Sequence, residues 1–283
     1  LMNWLAIGLV TIAGLLSVAY SVVFLRSESM LKRTYPVPTV AALALPTDAT
    51  SIAEGERLAV VHGCTGCHGR QLQGGVMFDD PKIAHIVAPN LTQSVRNYTD
   101  AEFIVAIRHG LRPDGHTMIV MPSEGFLLLT DEDLGRIIAF VRNLPVTPGP
   151  TGSTSIGPIG RVGLVTGLYK TTAQHMLDAV APPEATNEEA NFGRYLARTT
   201  CVQCHAADLR GDSLPEGVAP DLRVVATYSP ETFATLMRTG IAIGDRKLGM
   251  MTNWAVAHLS HLTDAEIAAL YSYLHELPEA AAH

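Results

Sequence analysis

From Trp4 to Leu25 the chain carries no charged residue, a run of 22 that is almost wholly apolar. That length predicts one helix able to cross a bilayer core of about 30 Å. A signal-peptide core is shorter, roughly 7 to 15 residues, and no clear small-x-small site follows this run, so it reads as a retained anchor rather than a removed leader. Residues 28–50 hold Pro36, Pro38 and Pro46 among Ala and Thr and predict a semi-rigid spacer standing off the membrane. Farther on, apolar residues recur at helical spacing: Ile137, Ile138 and Val141 in one segment, Ile267, Leu270, Tyr271 and Leu274 in another. Thr130 and Thr263 are placed as their N-caps, each with an acid three residues on. Both segments stop at Leu-Pro, 144–145 and 277–278. No alternating strand pattern of any length is seen, so the expected class is mainly α.

These two segments belong to a longer internal repeat. Gly55-Glu56-Arg57-Leu58-Ala59 corresponds to Gly193-Arg194-Tyr195-Leu196-Ala197, and Ala88-Pro89-Asn90-Leu91 to Ala219-Pro220-Asp221-Leu222. Arg108-His109-Gly110 corresponds to Arg238-Thr239-Gly240. The repeat divides the chain into an anchor (1–27), a linker (28–50), a first domain (51–147), a connector (148–185) and a second domain (186–283). The connector contains an apolar piece, Val162 to Tyr169, that is expected to lie across the interface between the domains; a loosely ordered linker is the alternative.

Each repeat contains one C-x-x-C-H: Cys64-Thr65-Gly66-Cys67-His68 and Cys201-Val202-Gln203-Cys204-His205. This is the attachment signature of haem c. Two thiols at that spacing can form thioethers to the two vinyl groups on one porphyrin edge, and the adjacent histidine then donates a ring nitrogen to the iron. The chain has four cysteines, and the motifs use all of them. A four-cysteine zinc site would need the two pairs brought together, yet each pair sits in its own repeat. The expected cofactors are therefore two covalently attached haem c groups.

The second axial position separates electron transfer from ligand chemistry. A thioether sulfur is soft, holds ferrous iron and raises the potential. Met118 and Met121 are available in the first domain, Met250 and Met251 in the second. Gly110 to Met121 and Gly240 to Met251 span the same interval, which selects Met121 and Met251, with the choice between Met250 and Met251 the less secure. The expected iron ligands are His68 with Met121 and His205 with Met251. His62, His85, His109, His116, His258 and His261 do not recur between the repeats. Pro89 and Pro220 do recur, and a carbonyl there could accept the other ring N–H of the ligating histidine.

Taken together, "APNLT", "YTDAEFIVAIRHGLRPDG", "MPS" and "LTDEDLGRIIAFVRNLP" in the first repeat, with their counterparts in the second, resemble class I cytochrome c, twice. The first copy is similar to the cytochrome subunits of bacterial membrane-bound alcohol and aldehyde dehydrogenases and related diheme cytochromes. The resemblance implies two tandem, mainly helical haem domains after the transmembrane helix, with axial roles for Met121 and Met251 and histidine-orienting roles for Pro89 and Pro220. It also implies single-electron transfer between protein redox partners, with no bond chemistry on a substrate. A diheme peroxidase is the competing reading, and it would need one open iron site.

Net charge is -7, which argues against nucleic acid as a partner. Arg26, Lys32 and Arg33 follow the apolar run and no basic residue precedes it, so the positive-inside rule alone would put the domains in the cytoplasm. Haem c is attached outside the cytoplasmic membrane, as the resemblance implies, so the expected location of the domains is periplasmic. The chain begins with Leu1, and a processed or trimmed basic N-terminus is the expected source of the conflict.

Overall fold

The computed structural model describes residues 2–94, 96–150, 152–178, 188–214 and 217–277. Residues 179–187, which include the end of the connector, and Pro278 lie outside the described residues. Helix α1 (Met2–Leu31) exposes nearly all of its apolar side chains, and over Trp4–Leu31 it is long and apolar enough to cross a membrane.

The first domain begins with α2 (Ala49–Val61), where the Asp48 carboxylate accepts from the Ser51 N–H at 2.9 Å. The attachment motif forms the short helix α3 (Cys64–His68). Strands β1 (Gly75–Asp80) and β2 (Ala84–Ala88) then pair antiparallel. Helices α4 (Leu91–Ser94), α5 (Asp100–His109), α6 (Ser123–Phe126) and α7 (Asp131–Asn143) complete it. The connector adds β3 (Ser155–Ile156), α8 (Pro158–Thr166) and α9 (Thr172–Asp178).

The second domain repeats the order with α10 (Glu188–Thr200), α11 (Val202–His205) and the hairpin β4–β5 (Asp212–Leu214, Gly217–Ala219). A 3-10 turn (Leu222–Thr227) leads to α12 (Pro230–Thr239), the two-residue strands β6 (Ile241–Ala242) and β7 (Arg246–Lys247), α13 (Met250–Ala257) and α14 (Asp264–His275). The short hairpins depart from the strand-free expectation. They are too brief for an alternating pattern to show, and β1 contains a bulge between Val76 and Phe78 that breaks its period.

In each domain the first and last helices cross at a glycine. A Cβ on Gly55 would strike the Arg136 carbonyl of α7, and one on Gly193 the Ala269 carbonyl of α14. The absent side chains let the backbones meet. Leu58, Ala59, Leu134, Ile137, Ile138 and Val141 fill the first core. Leu196, Ala197, Ile267, Leu270 and Leu274 hold the corresponding places in the second. The caps form where the pattern placed them: Thr130 Oγ1 accepts from the Asp133 N–H at 3.1 Å, and Thr263 Oγ1 from the Glu266 N–H at 3.2 Å.

The repeated arginine has a role that sequence alone did not supply. Arg108 donates to the Leu129 carbonyl and the Asp131 carboxylate, 2.6 and 2.7 Å. Arg238 donates in the same way to the Leu262 carbonyl and to Asp264. Each ties the helix before the methionine loop to the start of the closing helix.

Two expectations are corrected. Residues 34–45 are not a free spacer. The Tyr35 N–H donates to the Gly115 carbonyl at 2.9 Å, and Val40, Leu43 and Leu45 pack on the first core. Their apolar side chains gain more by burial than an extended solvated strand would allow. The described part of the connector does not lie across the domain interface either. β3 pairs with β2, and α8 packs against α1, where Arg161 donates to Ser27 Oγ (2.9 Å) and Glu28 (2.7 Å) and stacks 4.3 Å from the Phe24 ring.

Gly55→Ala and Gly193→Ala should each destabilise their own domain by about 1–3 kcal/mol, because the backbones must separate to admit a methyl group. Denaturant unfolding of the two variants checks this; a change within about 0.5 kcal/mol, as expected for a surface site, would contradict the close crossing.

Candidate haem sites

Both motif histidines are buried and held by one bond. His68 Nδ1 lies 2.8 Å from the Pro89 carbonyl oxygen, and His205 Nδ1 lies 2.8 Å from the Pro220 carbonyl oxygen. A carbonyl can only accept, so Nδ1 carries the proton and Nε2 is left with its lone pair. Burial pushes both imidazoles below the ordinary histidine pKa, with the carbonyl bond opposing, which keeps them neutral.

A repeated turn brings each proline to its histidine. The Leu72 N–H donates to the Gly69 carbonyl, the Gly74 N–H to the His68 carbonyl and the Leu91 N–H to the Leu72 carbonyl. Leu209, Gly211 and Leu222 make the matching bonds in the second domain. Leu72 and Leu209 sit at φ 54° and 61°, in the left-handed region that a leucine seldom adopts. Both side chains are 0% exposed. Burying a leucine is worth about 1.5–3 kcal/mol, which offsets a backbone cost of about 1–3 kcal/mol.

The thiols are far from thiolates. Burial pushes Cys64 up to about 12 and Cys201 up to about 11, and it raises Cys67 as well. Two cysteines three residues apart, next to a neutral histidine with a free Nε2, fit a covalently attached haem. Beside the first motif, β1 displays Val76, Met77 and Phe78 as apolar surface that suits a porphyrin.

The methionines separate by packing. Met121 lies against the first core and Met251 against the second, while Met250 is 40% exposed. The first methionine loop is braced from the connector, since Thr172 donates its hydroxyl to the Met121 carbonyl (2.8 Å) and its N–H to the Met118 carbonyl (3.1 Å). In the second loop Thr252, next to Met251, donates to the Gly240 carbonyl at 2.7 Å. No repeat in the sequence signals Thr172, because it comes from the connector.

Sequence comparison agrees with this geometry. The Cytochrome c family model matches residues 52–145 and again 190–278, well over half of the chain. The chain belongs to the cytochrome c family. It carries two covalently bound haem c groups, one for each matched range. Among curated proteins it is 27% identical over 289 residues to the fructose dehydrogenase cytochrome subunit of Gluconobacter japonicus, covering 92% of this chain and 58% of that one. It is 27% identical over 274 residues to the cytochrome c subunit of alcohol dehydrogenase (quinone) from Gluconacetobacter polyoxogenes, covering 84% of this chain and 58% of that one. The cytochrome c subunit of gluconate 2-dehydrogenase from Pantoea cypripedii is 26% identical over 263 residues, 80% of this chain and 59% of its own length. The chain thus spans a little under 60% of the length of these relatives.

The two domains of this cytochrome meet through bonds that respect the repeat. Arg57 donates to Glu266 at 2.8 Å and also holds Glu54 on its own helix. At the position of Arg57 in the second repeat, the Tyr195 hydroxyl donates to Asp133 at 2.6 Å, and Asp133 is the counterpart of Glu266. Between them His62 Nδ1 donates to the Thr199 carbonyl at 3.2 Å, and His258 Nδ1 to the Val60 carbonyl at 2.8 Å. His62 and His258, weak candidates as iron ligands by sequence, are interface residues.

Burial holds His62 below the ordinary histidine pKa; the Thr199 bond and the charges of Asp133 and Glu266 oppose this, and Arg57 adds to it. The unfolded chain therefore binds a proton below about pH 6.5 that the folded chain refuses, and stability falls as pH drops through that value. His62→Gln should reduce proton uptake on unfolding between pH 7 and 5, by at most one proton. Stability measured against pH for both proteins tests this, and an unchanged slope would contradict it.

Proposed function

We propose that this chain is a membrane-anchored diheme cytochrome c that passes single electrons between protein partners on the periplasmic side of a bacterial cytoplasmic membrane. In this reading the anchor is 1–27, the linker 28–50, the haem domains 51–147 and 186–283, and the connector 148–185. Cys64 and Cys67 hold one haem, and Cys201 and Cys204 the other. His68 and Met121 are the axial ligands of the first iron, His205 and Met251 of the second. The observation that carries this assignment is the paired geometry of His68 with the Pro89 carbonyl and His205 with the Pro220 carbonyl, in domains whose cores pack Met121 and Met251.

Bound haem supplies an iron that gains and loses one electron without moving atoms far. The residues around it do the rest. The proline carbonyls hold each imidazole in one tautomer and raise its basicity toward the metal. A methionine sulfur as the second ligand would leave no position for an incoming ligand such as peroxide, which disfavours the diheme peroxidase reading. Thioethers prevent loss of the cofactor outside the cell.

The partners follow from what the relatives are named for. The relatives are named as cytochrome subunits of fructose, alcohol and gluconate dehydrogenases, so the donor proposed here is a dehydrogenase of the same broad kind. Helix α1 keeps the domains near the membrane, and haem c maturation outside the cytoplasmic membrane favours the periplasmic side. Isolation in mild detergent, with the co-migrating subunits identified by mass spectrometry, tests the partner. A large dehydrogenase is the expected companion; terminal-oxidase subunits would make the chain a connector between respiratory complexes instead.

Met121→Ala and Met251→Ala should each remove one near-infrared methionine-to-iron band and lower one potential, by part of the roughly 0.8 V that axial ligation spans. Haem should stay attached in both. Met250→Ala should leave both bands in place. Ferric spectra and redox titration of the three variants check the assignment; loss of a band in Met250→Ala would transfer the ligand role to that residue.

A further inference from the structure

The interface is built crosswise around the two haem sites. The segment that follows the methionine of each domain lies against the attachment motif of the other. After Met121 and Pro122, α6 brings Gly125 to the second motif, where a Cβ would sit 3.6 Å from both Val202 Cγ2 and Gln203 Nε2. After Met251, α13 brings Trp254 to the first motif. A Cβ on Gly63, the residue before Cys64, would lie 2.5 Å from the Trp254 indole, so only glycine admits the ring there. His258 continues this wall one turn on. Its Nε2 would be 3.0 Å from a Cβ on Gly66, inside the motif. The His258 and Trp254 rings are 4.2 Å apart, and His258 Nδ1 holds the Val60 carbonyl at 2.8 Å.

Trp254 is therefore one helical turn from Met251 and in contact with the backbone that carries Cys64. It belongs to the second domain by sequence and to the wall of the first site by position. The first domain has no aromatic at the matching place: three residues after Met121, as Trp254 is after Met251, stands Glu124. The contact is thus one-sided: a single large π-system spans from the methionine helix of one site to the attachment loop of the other.

We propose that Trp254, backed by His258, is the positioning residue that couples the two haem sites, holding the Met251 helix against the Cys64 loop so that electrons exchange between the haems across this contact. The inference rests on the axial assignment proposed above. In the exchange a ferrous iron at one site is oxidised and a ferric iron at the other is reduced, with no bond formed or broken and no proton moved. Trp254 needs only to keep the sites close and the space between them free of water, and neither the indole nor the imidazole changes oxidation state.

The test uses the full chain with both haems attached, in detergent, with Trp254→Leu and Trp254→Phe. Three quantities are read: the interhaem exchange rate after rapid one-electron reduction, the two potentials, and the near-infrared methionine bands. In Trp254→Leu the exchange rate should fall by about one to two orders of magnitude, the effect of misplacing reacting groups by about 1 Å. Both bands and both potentials should persist. Trp254→Phe, which keeps an aromatic ring at the contact, should retain most of the rate. An unchanged rate in Trp254→Leu overturns the proposal. So does an equal loss in both variants, or a loss accompanied by disappearance of the Met251 band, because either marks Trp254 as a filler of the interface. A missing band in the unsubstituted protein would instead overturn the axial assignment.

Discussion

A buried imidazole that is to bind a metal must be neutral, must present the right nitrogen and must not rotate. In both domains burial meets the first demand, and one hydrogen bond meets the other two, from Nδ1 of the motif histidine to the carbonyl of a proline 21 residues on in the first domain and 15 in the second. The rest of each site is arranged to make that bond possible. The turn after the motif bends through a left-handed leucine, held there by complete burial, and its backbone bonds deliver the proline segment. The proline lacks an N–H, so its segment is free of a ladder bond that would pull the carbonyl elsewhere.

Duplication explains why the domains fit together. Equivalent positions on α2 and α10 reach equivalent acids on the closing helices of the opposite domain, so the interface approximates a two-fold axis. The chemistry at those positions has since diverged. One pair is an arginine with a carboxylate, the other a tyrosine with a carboxylate. Trp254 and its counterpart Glu124 differ more sharply, and that difference turns a symmetric contact into a directional one, with one domain reaching into the other's site.

The anchor and the connector give the pair a fixed place. Arg161 joins α8 to the end of α1 through Ser27, Glu28 and the face of Phe24, so the first domain is docked on the helix that precedes it. The linker segment is likewise laid along the first domain through Val40, Leu43 and Leu45. A cytochrome on a free tether would sweep a wide volume. Here the order of the parts, helix then first domain then second, becomes a spatial order.

The sequence by itself determined the parts that are local or repeated. Four cysteines in two identical spacings, the Leu-Thr-Asp caps, the paired prolines and the 22-residue apolar run each depend on neighbours along the chain, so pattern reveals them. The equal Gly-to-Met intervals pointed to the same methionines that the cores cover. What only the tertiary structure decided are contacts between residues far apart with no shared periodicity. Thr172 bracing the Met121 loop, Arg108 and Arg238 tying helix starts, His62 and His258 as interface donors, and the Pro-rich segment lying on the domain all fall in this class. The short hairpins escaped for the opposite reason, being too few residues to carry a period. Trp254 is the clearest case: in the sequence it is one aromatic near a methionine, and only the crosswise packing of two domains puts its ring against a glycine 191 positions away. Local pattern records what a segment must become, whereas the partner it meets is set by how the whole chain closes on itself.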